Sequence, residues 1–433
     1  MYDAPRPVQL SERIASLDFL RGIAVLGILL INIESFAYPN PWSPFEHGFV
    51  TPTDRTARFW IYLLAQGKFF SMFTLLFGVG FTIFLERVGR RVQGLPAFDI
   101  YARRLLWLFV FGVAHAYLLW DGDILYHYAV CGFLLFPFRS FRRRGLVVAL
   151  LVLASVVLFD TYESVSQTRA QAEAYAHAQQ VPAERRSEVE ASAIARWERR
   201  TRRNEGHVGA VEVPRQTYLA SIAANYERVA VHDGQVFHRG ILYRTLLMML
   251  TGILLYRLNV FRDYRSVPGY WAITLGLLAV ALAINYMRYE QWTFAYFEPV
   301  QEVWRGWLIA FHKELLGVAY VLVLNGLFQK YLSRLRTNPV SDAGRTALSN
   351  YVAQSVVCGA LFYGYGLGLH GTLARHELLY FVAAIWIVQL VASWLWCSRF
   401  RYGPLEWLWR YLTYRPFVRT ASPATAPSVA RFE

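Results

Sequence analysis

The residues best suited to chemistry flank a very short connection between two apolar segments, within Gly112–Gly132. The connection is Asp121-Gly122-Asp123, and His115 and His127 lie within about two helical turns of it on either side. An Asp at the centre of a membrane helix costs roughly 2.5–3.5 kcal/mol, so ionisable residues at this depth mark cavities and sites. A carboxylate just beyond a tight turn can orient an imidazole as a general base. We therefore predict proton transfer by His115 and Asp123.

The remaining histidine of this stretch, His127, follows Asp123 by four residues, a spacing that would place both side chains on one helix face. The alternative for His115 and for His127 is a hydrogen-bonded packing role, and it weighs more for His127. Gly112, three residues before His115, is expected to let another helix approach closely.

A second group of polar residues begins in the first apolar segment. Asp18 and Arg21 are three residues apart and can pair on one helix face, where they are candidates to hold an anionic cytosolic cofactor. The alternative is a charge-neutralised pair at a helix start. Lys68, expected toward the outer half of the membrane, is a further cofactor-binding candidate, the alternative being that its ammonium snorkels outward. Asn32 is expected in the outer half of the membrane with His115, as a hydrogen-bond donor to a reacting carbonyl.

Composition assigns the chain to the membrane. Of 433 residues, 55% are hydrophobic and 17% are charged, and the apolar residues come in long unbroken runs. The net charge of +14 does not indicate nucleic acid, because the basic residues cluster at the ends of apolar segments. The three cysteines lie inside apolar segments without metal-ligand spacing, and no phosphate-binding loop, serine elbow or zinc-helix motif supports a metal or nucleotide site.

The predicted fold is all-α, a polytopic membrane protein of about ten transmembrane helices with a helical extracytoplasmic insert. The ten apolar segments are 14–36, 59–85, 102–120, 124–138, 144–160, 240–256, 268–286, 306–328, 346–367 and 378–397. Lys and Arg concentrate in alternate connections, which predicts both termini in the cytoplasm of a bacterial inner membrane.

This topology divides the chain into four parts. Residues 1–160 and 240–400 form membrane halves of five helices each, and the polar residues 161–239 form the insert between them. Residues 401–433 combine an interfacial helix, which starts near Pro404, with a cytoplasmic tail.

Several stretches resemble the bacterial membrane family known as domain of unknown function 418, the YeiB-like proteins. The stretches run from Arg13 through Gly27-Ile28, from Lys68 to Gly78, from His115 to Gly132, from Gly344 to Gly368, and over Gly403-Pro404-Leu405-Glu406-Trp407. Because they span nearly the whole chain, the resemblance is specific. The family has no firmly assigned activity to carry over.

A more distant resemblance concerns Leu17-Asp18-Phe19-Leu20-Arg21-Gly22, which is similar to the opening of transmembrane acyltransferases of the acyltransferase-3 and heparan glucosaminide N-acetyltransferase types. Those proteins move an acyl group from cytosolic acyl-CoA to an acceptor at the far face. Acyltransferase-3 proteins place a His where this chain has Asn32, which cannot act as a general base. The glucosaminide acetyltransferases share the Asn and carry their key His in the next loop, where His47 is the positional candidate.

Two functions are compatible with these features. The first is an acyltransferase in which acyl-CoA, as donor substrate, meets Arg21 and His115 acts on an envelope glycan or lipid acceptor. The second is a membrane transporter or exporter that uses the same intramembrane His and Asp layer for substrate or proton movement. A structural or partner-binding membrane protein is a third possibility. Expected partners are membrane lipids and a small-molecule, glycan or lipid substrate, and no nucleic acid.

Overall fold

The structure, a computed structural model, describes residues 14–38, 51–91, 95–201, 217–236, 239–293, 301–335 and 337–419. Over these residues it is entirely helical and contains no β-strand. The helices are α1 (Ala15–Ala37), α2 (Pro52–Leu64), α3 (Lys68–Arg91), α4 (Leu95–Leu118), α5 (Leu125–Leu135), α6 (Arg143–Gln180), α7 (Glu188–Thr201), α8 (Tyr218–Val236), α9 (Arg239–Arg257), α10 (Tyr270–Thr293), α11 (Val303–Ile309), α12 (His312–Leu327), α13 (Pro339–Arg345), α14 (Ala347–Phe362), α15 (Arg375–Arg399) and α16 (Pro404–Arg419).

Six segments in the described part of the chain are long and apolar enough to cross a membrane, and they establish a multi-pass membrane protein. The predicted count of ten is not confirmed. At 1.5 Å per residue, α5 is about 16 Å long, which is too short for a hydrocarbon core of about 30 Å. The first half of α4 carries Asp99, Arg103 and Arg104, which interrupt an otherwise apolar helix.

Helix α1 lies at the centre of the bundle and packs against α3, α13, α14 and α15. The C-terminal ends of α3, α9, α12 and α15 lie on the same side of the bundle as the N-terminal ends of α1, α4, α10 and α14. We call this side of the bundle the arginine-rich end, after Arg21, Arg87, Arg104, Arg345 and Arg410, and the other side the opposite end.

Two of the predicted spans are interrupted. The apolar run 59–85 is divided into α2 and α3 by the three residues Ala65–Gly67, and the run 306–328 into α11 and α12 by Ala310 and Phe311. Gly67 has a φ of +79°, a backbone conformation that glycine adopts without strain. Both interruptions lie toward the opposite end of the bundle.

The first helix of the insert is continuous with the membrane helix that precedes it. Helix α6 is continuous for 38 residues, so the predicted boundary at residue 160 falls inside it. Its polar second half packs against α7, with the rings of Tyr175 and Trp197 5.8 Å apart. Helix α8 returns to the bundle and packs on the end of α4.

Candidate active site

A cavity of about 300 Å³ enters the bundle from the arginine-rich end. It lies between α1, α3, α4 and α14 and is covered at its mouth by α16. Helix α16 is fixed there because the indole N–H of Trp409 donates to the Arg104 carbonyl at 2.8 Å. Helix α16 therefore lines the mouth of the cavity at the arginine-rich end of the bundle.

The mouth of the cavity is strongly basic. Five arginines and two carboxylates line it: Arg21, Arg87, Arg104, Arg345, Arg410, Asp18 and Glu406. Arg21 is paired with Asp18 at 3.1 Å, and the charged neighbours of Arg104 include Arg410 and Arg21. Guanidinium groups match the planar, bidentate geometry of phosphate. The mouth can therefore hold a phosphorylated ligand.

The deeper part of the cavity is apolar. It is lined by aliphatic and aromatic side chains, among them Val25, Ile28, Phe73, Phe77, Leu108, Ile124 and Leu125. Tyr128 and Tyr351 lie among them. A basic mouth followed by an apolar interior suits a ligand with an anionic head and an uncharged, extended tail.

Next to this interior, His115 and Asp123 form a row of close polar contacts with Ser355 from a distant part of the chain. The Nε2 atom of His115 lies 2.8 Å from the Ser355 hydroxyl, and its Nδ1 atom lies 2.8 Å from Oδ1 of Asp123. The second contact has the distance of an ion pair without the angle of a straight hydrogen bond. The three side chains are 3%, 3% and 1% exposed for Ser355, His115 and Asp123. This is the residue order of a nucleophile, a base and an orienting carboxylate.

Asp123 reaches His115 because of the way α5 begins. Its Oδ2 atom accepts the backbone N–H groups of Leu125 at 2.7 Å and Tyr126 at 3.1 Å, which fixes the carboxylate at the start of α5. A Cβ on Gly112 would lie 2.2 Å from the Tyr126 nitrogen. Gly112 therefore allows the start of α5 to approach α4 closely, as expected. This approach brings Asp123 against His115, which lies on α4.

Ser355 lies one helical turn beyond the floor of the cavity. On α14 the cavity is lined by Ala347, Leu348 and Tyr351, and Ser355 continues the same face about 6 Å further on. The rings of Tyr351 and His115 have centroids 5.0 Å apart. Tyr351 thus separates the cavity from the Ser355–His115–Asp123 row.

The register of α14 is fixed by Gln354, the neighbour of Ser355. Its amide donates to the carbonyl of Val25 on α1 and to the side chain of Gln389 on α15, both at 3.0 Å. On α1 the cavity-facing positions run through Arg21, Val25 and Ile28, so the next turn of that face carries the half-buried Asn32. The predicted carbonyl-binding residue is therefore on the side of α1 that faces the cavity.

From the opposite end the row is covered by α8 and by Trp120. The Asn225 amide donates to the carbonyls of Ala116 and Tyr117, and the Tyr218 hydroxyl donates to that of Leu118. These carbonyls belong to the last turn of α4, which has no intrahelical donors left. The insert thus caps the helix that carries His115.

The structure separates two predicted site residues from the row. His127 does not share a face with Asp123, because Asp123 precedes α5 whereas His127 lies within it; its Nε2 atom is 2.9 Å from the Thr245 hydroxyl on α9. Lys68 lies at the opposite end from Asp18 and Arg21 and is fully buried, so it neither lines the cavity nor snorkels outward. His47 lies outside the described residues.

Several residues of the site were not anticipated. Ser355 is one of two serines in the mostly apolar α14, 240 positions from His115. The available signal was its place in the polar spacing Asn350, Gln354 and Ser355. Among the cavity arginines, Arg345 ends α13 in a basic connection that also serves topology, and Arg410 lies within the interfacial helix α16. Their convergence depends on packing that the sequence does not show.

Glu406 couples the cavity cover to α14. Its carboxylate accepts the backbone N–H groups of Leu348 and Ser349 at 2.6 and 3.2 Å and the Ser349 hydroxyl at 2.6 Å. It therefore caps the first turn of α14 from a different helix. Burial raises the pKa of Glu406 from its ordinary value of 4.5, although the hydrogen bonds from Ser349 and Leu348 oppose this.

We predict that Glu406→Ala lowers the stability of the purified protein by about 1 kcal/mol, the typical loss for a missing cap. Because the folded-state pKa is raised, the wild-type carboxyl stabilises the fold most below its ordinary pKa and less as the pH rises through the raised value. Thermal unfolding of the wild type and of Glu406→Gln is measured between pH 4.5 and 8. The stability of the glutamine variant relative to the wild type should increase as the pH rises. A shift in the other direction would contradict the assignment.

Together, these features define a multi-pass helical membrane protein with a buried Ser-His-Asp row at the end of a basic-mouthed cavity.

The sequence profile of the family described as "Protein of unknown function (DUF418)" matches residues 255–416. The uncharacterized protein YxaH of Bacillus subtilis (strain 168) is 30% identical over 96% of this chain and 98% of its own. The uncharacterized protein YeiB of Escherichia coli (strain K12) is 30% identical over 95% and 98%.

The chain therefore belongs to the DUF418, or YeiB-like, family. A third relative, an uncharacterized 39.9 kDa protein in the amylase 3′ region of Bacillus acidopullulyticus, is 26% identical over 94% of this chain. No solved structure matches the chain significantly.

Proposed function

We propose that this protein is a membrane acyltransferase that takes an acyl group from acyl-CoA and transfers it to an acceptor at the opposite end of the bundle. The observation that carries the proposal is the position of the Ser355–His115–Asp123 row directly behind a cavity whose mouth is basic and whose interior is apolar. The arginine-rich end is the cytoplasmic side on this account, as the positive-inside rule predicts for its Lys and Arg content.

The cavity fits the donor in two respects. Acyl-CoA carries several phosphates on a nucleotide head and a long, largely uncharged arm that ends in the thioester. The five arginines of the mouth, offset by Asp18, Glu406 and the Asp342 carboxylate that pairs with Arg345 at 2.9 Å, leave a net positive charge for the head. The apolar interior leads the arm toward Tyr351, whose ring contacts His115. Rotation of Tyr351 would bring the thioester to Ser355.

The chemistry then proceeds in two steps. In the first step the Ser355 Oγ atom attacks the thioester carbonyl carbon while His115 takes the hydroxyl proton at Nε2. The C–S bond breaks, and the leaving sulfur receives that proton from His115. In the second step an acceptor hydroxyl or amine attacks the acyl-Ser355 ester, His115 takes its proton, and the proton passes to the departing Ser355 oxygen.

The protein's own residues supply the remaining requirements. Asp123 stabilises the imidazolium of His115, and its fixed position at the start of α5 prevents the ring from turning away. Asn32, on the cavity-facing side of α1, is the proposed donor to the carbonyl oxygen as charge develops there. The acceptor is proposed to be an envelope glycan or lipid, which would reach the row from the side that α8 and Trp120 cover.

Calorimetry on the detergent-purified protein tests the donor site. We expect acetyl-CoA or a longer acyl-CoA to bind the wild type, and Arg21→Ala to bind about tenfold or more weakly, because one charge-assisted contact to phosphate is lost. His115→Ala should retain binding, since His115 lies beyond the cavity floor. Arg142→Ala is the matched control, because Arg142 is an exposed arginine at the same end. Equal loss in Arg142→Ala, or no binding of any acyl-CoA, would contradict the proposal.

A transporter is the second candidate, and one observation favours it. Secondary transporters typically contain interrupted membrane helices whose half-helix ends lie at the substrate site. This chain has two interrupted helices, α2–α3 and α11–α12. If acyl-CoA does not bind, we propose that His115 and Asp123 serve proton coupling in a transporter or exporter.

A further inference from the structure

The two helix interruptions meet each other at the opposite end of the bundle. The position that a Cβ of Gly67 would occupy lies 2.4 Å from the Cδ atom of Lys313, so the Lys313 side chain crosses the first interruption. Lys68 is the first residue of α3 and Lys313 is the second residue of α12. Two helix N-termini, each with a positive partial charge, therefore carry a lysine at the same place, although the Lys68 N–H of α3 already donates to the Ala65 carbonyl at 3.1 Å.

At each interruption a cationic side chain donates to a backbone carbonyl near the end of the preceding helix. The Lys68 ammonium donates to the carbonyl of Tyr62 at 2.6 Å, and Arg244 donates to that of Ala310 at 2.6 Å. Lys68 is fully buried. A fully buried ammonium is expensive, and it is normally accompanied by an anion.

The charges around this junction do not balance. Arg58 is paired with Glu34 at 2.8 Å and Arg244 with Glu314 at 3.0 Å. Lys68, Lys313 and Arg288 remain, and among the described residues no carboxylate forms an ion pair with them; Glu314, already paired with Arg244, is the one anion whose charge acts on Lys313. The charged groups that act on Lys68 are Lys313, Arg288 and Arg58, all of them positive. His312 has the same cationic neighbours, Lys313, Arg288 and Lys68.

We infer that Lys68, Lys313 and Arg288, together with the N-termini of α3 and α12, form a binding site for an oxyanion, a phosphate or carboxylate group. Lys313 is exposed, so a ligand can reach it, whereas Lys68 forms the closed floor of the site. The site lies away from the arginine-lined cavity and does not depend on acyl transfer.

One neutral group indicates what else the ligand carries. The side chain of Asn285 is fully buried, and its amide donates to the His312 carbonyl at the start of α12. Its Oδ1 atom has no hydrogen-bond partner among the described residues. A hydroxyl beside the anionic group would satisfy it. A phosphorylated polyol, free or as a lipid headgroup, meets both requirements.

Glycerol 3-phosphate is the probe for this site, with glycerol as its neutral control, in calorimetry on the full-length protein in detergent. We expect saturable binding of glycerol 3-phosphate only, about tenfold weaker in Lys313→Gln because one of three cations is lost. Lys313→Arg should restore most of the affinity. Lys330→Gln is the matched control, since Lys330 is an exposed lysine where the same helix continues at the arginine-rich end.

A lipid source of the phosphate is tested by mass spectrometry of the protein released from nanodiscs that contain phosphatidylglycerol. Retention of that lipid by wild type and Lys330→Gln, but not by Lys313→Gln, assigns the site to a headgroup even if the soluble probe does not bind. The inference is overturned if neither glycerol 3-phosphate nor phosphatidylglycerol distinguishes wild type from a folded Lys313→Gln protein. Because neither assay measures acyl transfer, the result is separate from the fate of the proposed enzyme activity.

Discussion

Replacement of Ser355 by alanine is expected to reduce acyl transfer by about 10³-fold or more, with little effect on acyl-CoA binding. The hydroxyl is 2.8 Å from Nε2 of His115, so it is the group from which His115 can take a proton in this structure. Without it no acyl-enzyme forms, and only direct attack by the acceptor remains. Release of free CoA thiol from acyl-CoA by the purified protein, with and without a candidate acceptor, measures the loss.

Ser398→Ala is the matched control for this experiment, because Ser398 is an exposed serine near the end of α15 whose hydroxyl bonds only within its own helix. It should release CoA at the wild-type rate. Thermal unfolding should show both variants folded. A wild-type rate in a folded Ser355→Ala protein would mean that Ser355 packs against His115 without taking part in the reaction.

Asp123→Asn is expected to lower the rate by about 10²- to 10⁴-fold, the second large effect. An amide in place of the carboxylate cannot stabilise the imidazolium of His115, and its N–H group favours the wrong ring tautomer. Asparagine keeps an oxygen that can accept the N–H groups of Leu125 and Tyr126, so the start of α5 should be preserved. The rate, its pH profile and the thermal midpoint should be measured together.

The control is Asp121→Asn, in the same short turn. Asp121 is half-buried and is not part of the row with His115, so its variant should keep the wild-type pH profile. If Asp123→Asn and Asp121→Asn lose the same activity and show the same profile, the effect comes from the turn and not from support of His115.

The part of the site that was predictable is local in sequence. His115 and Asp123 are separated by a turn too short to allow much freedom, and Gly112 indicated where the helices could approach. The same local reasoning was wrong for His127, because it assumed that α5 already included Asp123. Helix start positions depend on capping, and here the Asp123 side chain, one residue before the N-cap Ile124, accepts the first N–H groups of α5.

The part that was not predictable depends on packing between distant segments. Nothing in an apolar stretch distinguishes Ser355 from other small polar residues until α14 is placed beside α4. Lys68 was expected in the outer half of the membrane and lies at the opposite end of the bundle from Asp18 and Arg21, so it does not line the cavity that those two residues share. The interruption at Gly67 was hidden inside an apolar run that was long enough to read as one span.

The membrane architecture was predictable in outline, because apolar runs and basic connections follow from the cost of burying charge in lipid. Its details were not. The continuous α6 joins a predicted membrane half to the insert, and the short α5 does not cross a membrane alone. Both features depend on helix length, which hydrophobicity does not set.

Detection of an acyl group on Ser355 is the most direct test of the account. The purified protein is incubated with acetyl-CoA without acceptor, quenched in acid and digested, and the peptide that contains Ser355 is analysed by mass spectrometry. We predict the mass of one acetyl group on Ser355, absent in Ser355→Ala and strongly reduced in His115→Ala. An unmodified Ser355 in protein that binds acetyl-CoA and releases CoA, or a label on a different residue, would contradict the proposed role of the Ser355–His115–Asp123 row.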